Sequence, residues 1–404
     1  MHRRTVIRSF AFSLAAASLK AALPKLKITR VRYYHVGGEG ARPIFNQSSH
    51  IVTVETDQGI TGIGEGGHKD SIEQLAGIIV GEDPSRIEHL WQLMYRQYFY
   101  PPGREKIHAL GALDLALLDI KGKALGVPVY ELLGGLTRNH VECYATGFPS
   151  AGSLRDTAQA CIEFGYRAFR FHGADAPDPS QGYHHRKMVD RTFEMCREVR
   201  EGVGDDGDWA IDFHTRLDLP DAVRLCGLIE PLRPLFVEDP IRSENPEVYR
   251  TLRPMVRTPL AVGEHYGDRW DSSMLIENQL FDYSRVTLPN SGGITEYMKH
   301  AALCETHYVG LIPHFTGPVA EAALVHCLCA LSGPALMEMR GIGDPRAPHL
   351  PESYDFRAGK LYPKDKPGLG VEFDPSKANL VSEITEQDRP IPIYRRPDGS
   401  ITNW

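Results

Sequence analysis

The feature that most restricts how this chain can fold is a rhythm. Eight short apolar runs rich in β-formers follow one another: VECYATGF, YRAFRFHG, WAIDFH, PLFVED, PLAVGE, YSRVTL, YVGLIPH and PALMEMR. Amphipathic helical stretches lie between them, among them TAQACIEFG, RTFEMCREVREGVG, ITEYMKHAALCETH and VAEAALVHCLCAL. A strand followed by a helix and another strand makes a parallel pair, and eight such units can close into a cylinder. The expected fold class is α/β, a (β/α)8-type, modified TIM barrel spanning 139–346. An open doubly wound sheet is the alternative. It needs a Gly-rich phosphate loop after its first strand, and ATGFPSAG is a poor one.

The flanks read differently. KITRVRYYHV and SHIVTVETDQGITGIGE alternate like strands, with a turn at Asp57-Gln58-Gly59, and a helical pattern follows from Ile72 to Leu133. Residues 26–138 are thus expected to form an α+β capping domain, bounded by the Gly-rich LLGGLTRN. The Pro- and Gly-rich segment 347–404 is expected to return to it. At the start, MHRRTVIRSFAFSLAAASLK pairs Arg3 with Arg4 ahead of an Ala-rich apolar run. Residues 1–25 read either as a twin-arginine-like export signal, which would place the mature protein in the periplasm, or as a cytoplasmic extension. No other run approaches the ~18 apolar residues of a membrane span.

Composition narrows the function classes. With 42% hydrophobic and 24% charged residues, the chain has the make-up of a soluble enzyme. Its net charge is −7 and it has no Lys/Arg cluster with interleaved aromatics, which argues against nucleic acid as a partner. The seven cysteines are scattered and odd in number, so buried thiols are expected rather than a disulfide framework.

In a barrel of this kind the chemistry sits where the strands end. The second run carries Arg170 and His172, the third Asp212 and His214, the fourth Glu238, the fifth Glu264 and His265, the seventh His314 and the eighth Glu338. Asp212, Glu238 and Glu264 stand 26 residues apart at each step, one βα unit each. Three carboxylates meeting at one rim would repel one another, and a divalent cation removes that penalty. An all-oxygen set without cysteine favours one Mg²⁺, with Mn²⁺ also open. Three acids capping the following helices are the structural alternative.

Several stretches carry a wider resemblance: ETDQGITGIGE, DIKGKALGVPVYELLGG, VEDPIRSENPE, AVGEHYGDRWD, NSGGITE, KPGLGVEFD and RPDGSITNW. Through them the chain resembles the enolase superfamily, mandelate racemase branch, and most of all its mannonate dehydratase-like acid-sugar dehydratases. The resemblance implies that Asp212, Glu238 and Glu264 hold Mg²⁺ against the carboxylate of an acid sugar. It implies removal of the α-proton, an enediolate, and loss of the β-hydroxyl to give a 2-keto-3-deoxy acid, with His214 as general acid. Enolase-type sites with a Lys or His base and Mg²⁺ are a known pattern. Arg170 and Tyr183 match a Tyr–Arg base pair, and Arg285 and Glu338 match pocket-lining positions. His314 matches a base that elsewhere has an Asp partner, where this chain has Thr287. Whether Tyr183 or a histidine is the base stays open; His172 reads as substrate-binding.

The departures fall on specificity elements. Thr146 stands where the family has a substrate-contacting His, and EGGHKD, with Gly66, Gly67 and His68, replaces a loop Asn. The identity of the acid sugar is therefore not expected to be mannonate. A racemase, epimerase or cycloisomerase on the same scaffold, and a non-catalytic sugar-acid binding protein, are the competing readings. The resemblance also implies a homo-oligomer.

Overall fold

The computed structural model describes residues 23–36, 50–97, 100, 103–174, 180, 182–315, 317–343, 347–389 and 391–402. In chain order come strands β1 (Ile28–His35), β2 (His50–Thr56) and β3 (Thr61–Glu65), then helices α1 (Lys69–Ile79), α2 (Ile87–Arg96), α3 (Arg104–Leu125) and α4 (Val129–Leu132). The alternating part follows: β4 (Val141–Thr146), α5 (Leu154–Phe164), β5 (Ala168–His172), α6 (His185–Val203), β6 (Asp208–Asp212), α7 (Leu219–Ile229), β7 (Phe236–Glu238), α8 (Tyr249–Leu252), β8 (Leu260–Val262), α9 (Arg269–Glu277), β9 (Tyr283–Ser284), α10 (Ile294–Thr306), β10 (Gly310–Leu311), α11 (Pro318–Ala330) and β11 (Met337–Arg340). Strands β12 (Asp355–Arg357), β13 (Lys360–Tyr362) and β14 (Asn379–Ile384) complete the chain.

Strands β4 to β10 pair in sequence order, each parallel to the next. Closure comes from β11, which pairs parallel with β4 (Glu338 opposite Tyr144) and is joined to β10 by a bridge between Leu311 and Ala335. The result is a closed eight-stranded parallel barrel, as the rhythm predicts. The residues after it touch barrel and cap in turn. The β12–β13 hairpin first adds antiparallel to β4, and only β14 reaches the capping sheet, where it pairs with β1 in the order β14-β1-β2-β3.

The barrel interior has two layers because side chains on a strand alternate. The lower layer is apolar: Tyr144, Phe236 and Ile312 pack with the small Ala168, Ala210 and Ala261. Two residues further along the same faces come Thr146, Arg170, Asp212, Glu238 and His314, which form the upper, polar layer. Strand β8 breaks this alternation. Gly263 (φ +142) turns the chain so that Glu264, three residues after Ala261, joins the polar layer.

Helix α3 joins cap to barrel. It has no apolar stripe and is buried nearly all round, as a helix between two layers must be. Gly64 on β3 allows direct contact with it, since a Cβ there would overlap the Ala112 carbonyl. Three carboxylates of the cap and of this helix are spent on docking. Glu65 accepts the Val319 and Ala320 N–H groups, both at 2.9 Å, at the start of α11. Asp114 accepts the Thr295 N–H and hydroxyl at the start of α10. Asp119 accepts the N–H groups of Ile63 and Leu369. Each satisfies helix or loop donors that burial would otherwise leave without partners.

All seven cysteines are buried and free. Among the described residues no helix is long and apolar enough to cross a membrane. The export-signal reading falls almost wholly on residues outside the described ones.

Candidate active site

The polar layer is a lattice of ion pairs. Arg170 donates to Asp212 and, at 2.7 Å, to Glu338 Oε1, and lies 3.5 Å from Glu238 Oε2. Arg285 donates to Glu238 Oε1 at 2.8 Å and to Glu338 Oε2 at 2.7 Å, and lies 3.6 Å from Glu264 Oε2. It also contacts the Tyr144 hydroxyl, while Thr146 donates to Glu338 and accepts from Arg170. Both arginines are buried, as are Asp212, Glu238 and Glu338. Charges so placed persist only when paired. Yet four carboxylates face two guanidiniums, so with neutral histidines the lattice carries two surplus negative charges.

That surplus shows in two ways. Glu238 Oε2 and Glu264 Oε2 are buried without a hydrogen-bond partner. Burial also pushes the Glu238 carboxyl well above the usual range, more than Arg170 and Arg285 pull it down. Asp212 and Glu264 go the other way. Burial raises both, but Arg170, His172 and His214 outweigh it at Asp212, and His314, His265 and Arg285 at Glu264. A hard divalent cation would neutralise the surplus and occupy the orphaned oxygens, so the residues present fit Mg²⁺. The three expected ligands do not form one tight cluster, however. Among the described residues, the groups with ligand atoms within 4.8 Å of one another are His172–Asp212–His214 and Asp239–Glu264–His265, and Glu238 belongs to neither.

Two histidines flank Glu264. His214 Nε2 lies 3.9 Å from its Oε1 and 2.8 Å from Asp212 Oδ2. His314 Nε2 lies 3.6 Å from its Oε2. The backbone strains to achieve this: His214 (φ +45), Thr215 (φ +60) and Asp239 (φ +36) all sit in the left-handed region. For non-glycine residues that costs on the order of 1–3 kcal/mol each, a signature of functional sites. The two imidazoles are driven apart electrostatically. The hydrogen bond to Asp212 raises the His214 pKa, whereas burial lowers that of His314. The partner that His314 lacks by comparison with Asp-paired sites is supplied by a hydroxyl, Thr287 Oγ1, 3.3 Å from Nδ1.

The sequence-predicted residues separate on this geometry. Asp212, Glu238, Glu264, Arg170, Arg285, Glu338, His214, His172 and His314 share the barrel mouth. Tyr183 stands on the segment before α6, its ring edge-on to His185 at 5.0 Å. Arg170, expected to be its partner, is instead held by Thr146, Asp212, Glu238 and Glu338. Asp239 is a site residue that the sequence reading passes over. As the neighbour of Glu238 it should face away from the interior by strand parity, and the left-handed turn after β7 reverses that. The acidic doublet in VEDP was the available signal.

Comparison with known proteins supplies independent findings. Residues 153–377 match the model described as enolase C-terminal domain-like, and 41–134 match the mandelate racemase/muconate lactonizing enzyme N-terminal domain. A D-galactonate dehydratase of Xanthomonas oryzae pv. oryzae is 37% identical over 396 residues, covering 94% of this chain and 100% of that protein. One from Pectobacterium atrosepticum is 35% identical, covering 88% and 96%. Among solved structures, an enolase superfamily member from Salmonella Typhimurium superposes with a TM-score of 0.81 at 25% identity, covering 89% of this chain and 100% of that one. An enolase from Agrobacterium radiobacter, bound to Na and L-malate, gives 0.75 at 30% identity, covering 93% and 99%.

Proposed function

The chain belongs to the mandelate racemase branch of the enolase superfamily, and on that premise we propose that it is a Mg²⁺-dependent hydro-lyase that dehydrates an aldonate-type sugar acid, D-galactonate being the first candidate. The observation that carries the reading is the placement of two histidines against opposite oxygens of Glu264. An elimination needs a base for the α-proton and an acid for the departing β-hydroxyl, and pairs of groups with opposed environments mark such roles.

Asp212, Glu238 and Glu264 would hold the cation. When bound, Mg²⁺ supplies Lewis-acid stabilisation of the substrate carboxylate as negative charge builds there. The residues do the rest. His314, neutral and held by Thr287, takes the α-proton on Nε2. Glu338 and Arg285 line the pocket where the enediolate forms. His214, held as a donor by Asp212, gives its proton to the β-hydroxyl. The C–O bond breaks, water leaves, and the enol product tautomerises to the 2-keto-3-deoxy acid. Tyr183 is a second candidate base, carried by its resemblance alone.

The test is a screen of D-galactonate and other aldonates and aldarates with Mg²⁺, following 2-keto-3-deoxy products. Turnover abolished in His214→Asn and His314→Asn supports the assignment. Turnover that survives His314→Asn and disappears in Tyr183→Phe moves the base to Tyr183. Deuterium exchange at the α-carbon without loss of water would replace dehydration by racemisation or epimerisation.

A further inference from the structure

We propose that His172, Asp212 and His214 form a second metal site, suited to Zn²⁺ and chemically similar ions, which competes with the carboxylate site for Asp212. Two strands build it. His172 ends β5 directly beside Asp212 on β6, in register, with both side chains on the inner face. The left-handed turn at His214 brings the second ring back over the same carboxylate. His172 Nδ1 then lies 3.3 Å and His214 Nε2 2.8 Å from one oxygen, Asp212 Oδ2, and the rings stand 4.7 Å apart. The ligand atoms all fall within 4.8 Å of one another. Around a tetrahedral ion with bonds of about 2.0–2.1 Å, ligand atoms are separated by roughly 3.3 Å, so small side-chain adjustments close the set.

Ligand chemistry separates this site from the other. Two imidazoles and one carboxylate suit Zn²⁺, Co²⁺ or Fe²⁺, whereas Mg²⁺ prefers oxygen throughout. Access differs as well: the His172 and His214 side chains are 45% and 40% exposed at the mouth, while Asp212 is fully buried. Arg170 contacts the same Asp212 oxygen and would oppose a second cation, but Glu238 and Glu338 share that guanidinium. Because Asp212 serves both sites, it can complete only one of them at a time. An ion held by the histidines therefore excludes Mg²⁺. The site rests on geometry alone; its consequence, inhibition by Zn²⁺ through capture of the His214 ring, rests on the functional reading above.

The test uses the full chain, stripped with a chelator and titrated with Co²⁺. The parent is expected to show the stronger visible absorption of nitrogen-ligated, low-coordinate Co²⁺. Zn²⁺ should abolish it at one equivalent, and excess Mg²⁺ should raise the apparent Zn²⁺ Kd at least tenfold. In His172→Gln the nitrogen-ligated band should vanish while calorimetric Mg²⁺ affinity stays within about threefold of the parent, which also reports folding. His214→Gln should likewise lose the band. A Co²⁺ spectrum unchanged by both substitutions, an all-oxygen spectrum in the parent, or Zn²⁺ and Mg²⁺ binding independently would each overturn the proposal. None of these readouts depends on finding the dehydratase substrate, so a failed substrate screen leaves this site standing.

Discussion

Replacing Arg285 by Met tests whether the polar layer is balanced by charge or merely packed. Arg285 is fully buried, 2.6 Å from Glu238 Oε1 and 2.7 Å from Glu338 Oε2, and it also donates to the Ile312 carbonyl at 3.2 Å. Met fills a similar volume but removes one of two positive charges facing four carboxylates. Breaking a buried ion pair by deleting one partner costs about 3–5 kcal/mol, because the remaining charge stays desolvated. Urea unfolding of chelator-treated protein should show that loss. Adding Glu338→Gln deletes one of the stranded negative charges. The double variant should regain about 1–3 kcal/mol, the coupling expected of side chains in one network. A single variant within about 1 kcal/mol of the parent, or a double variant less stable than the single, would refute the charge-balance argument. The case for a divalent cation at this site would weaken with it.

Three further outcomes are expected. Glu65 is raised by burial to about 8, so its share of stability is complete below the ordinary carboxylate range and is lost as pH climbs through about 8. Glu65→Gln should flatten that part of the urea midpoint–pH curve, and Glu65→Ala, which orphans two buried N–H groups, should cost about 1–3 kcal/mol for each. Gly64→Ala should prevent the capping sheet from packing on α3, because its Cβ would meet the Ala112 carbonyl; limited proteolysis would reveal the loosened sheet. Thr287→Val should lower kcat roughly fivefold by removing a hydrogen bond worth about 1 kcal/mol, and Thr287→Ser should restore it. Equal rates in all three would leave Thr287 without an orienting role.

The barrel was legible in the sequence because its signals are local. Apolar runs of strand length, separated by amphipathic helices, say which segments become which elements. Regular spacing then says that their ends meet at one rim. The resemblance to a known family extended that reading to the capping domain. Side-chain direction is harder to read. Strand parity places Asp212 and Glu238 correctly but fails for Glu264 and Asp239, because Gly263 and a left-handed residue re-aim the chain just past the strand ends.

What the sequence by itself determined was the order of elements and, Asp239 apart, which acids and imidazoles stand at the ends of the barrel strands. Both follow from periodicity and spacing along the chain. Only the tertiary structure decided the partners. It gave Arg170 to three carboxylates rather than to Tyr183, supplied His314 with the Thr287 hydroxyl, and sent Glu65 and Asp114 across to cap helices some 181 to 255 residues away. A buried charge or donor takes whichever complementary group folding brings within hydrogen-bond reach, and that distance is written in three dimensions, not along the chain.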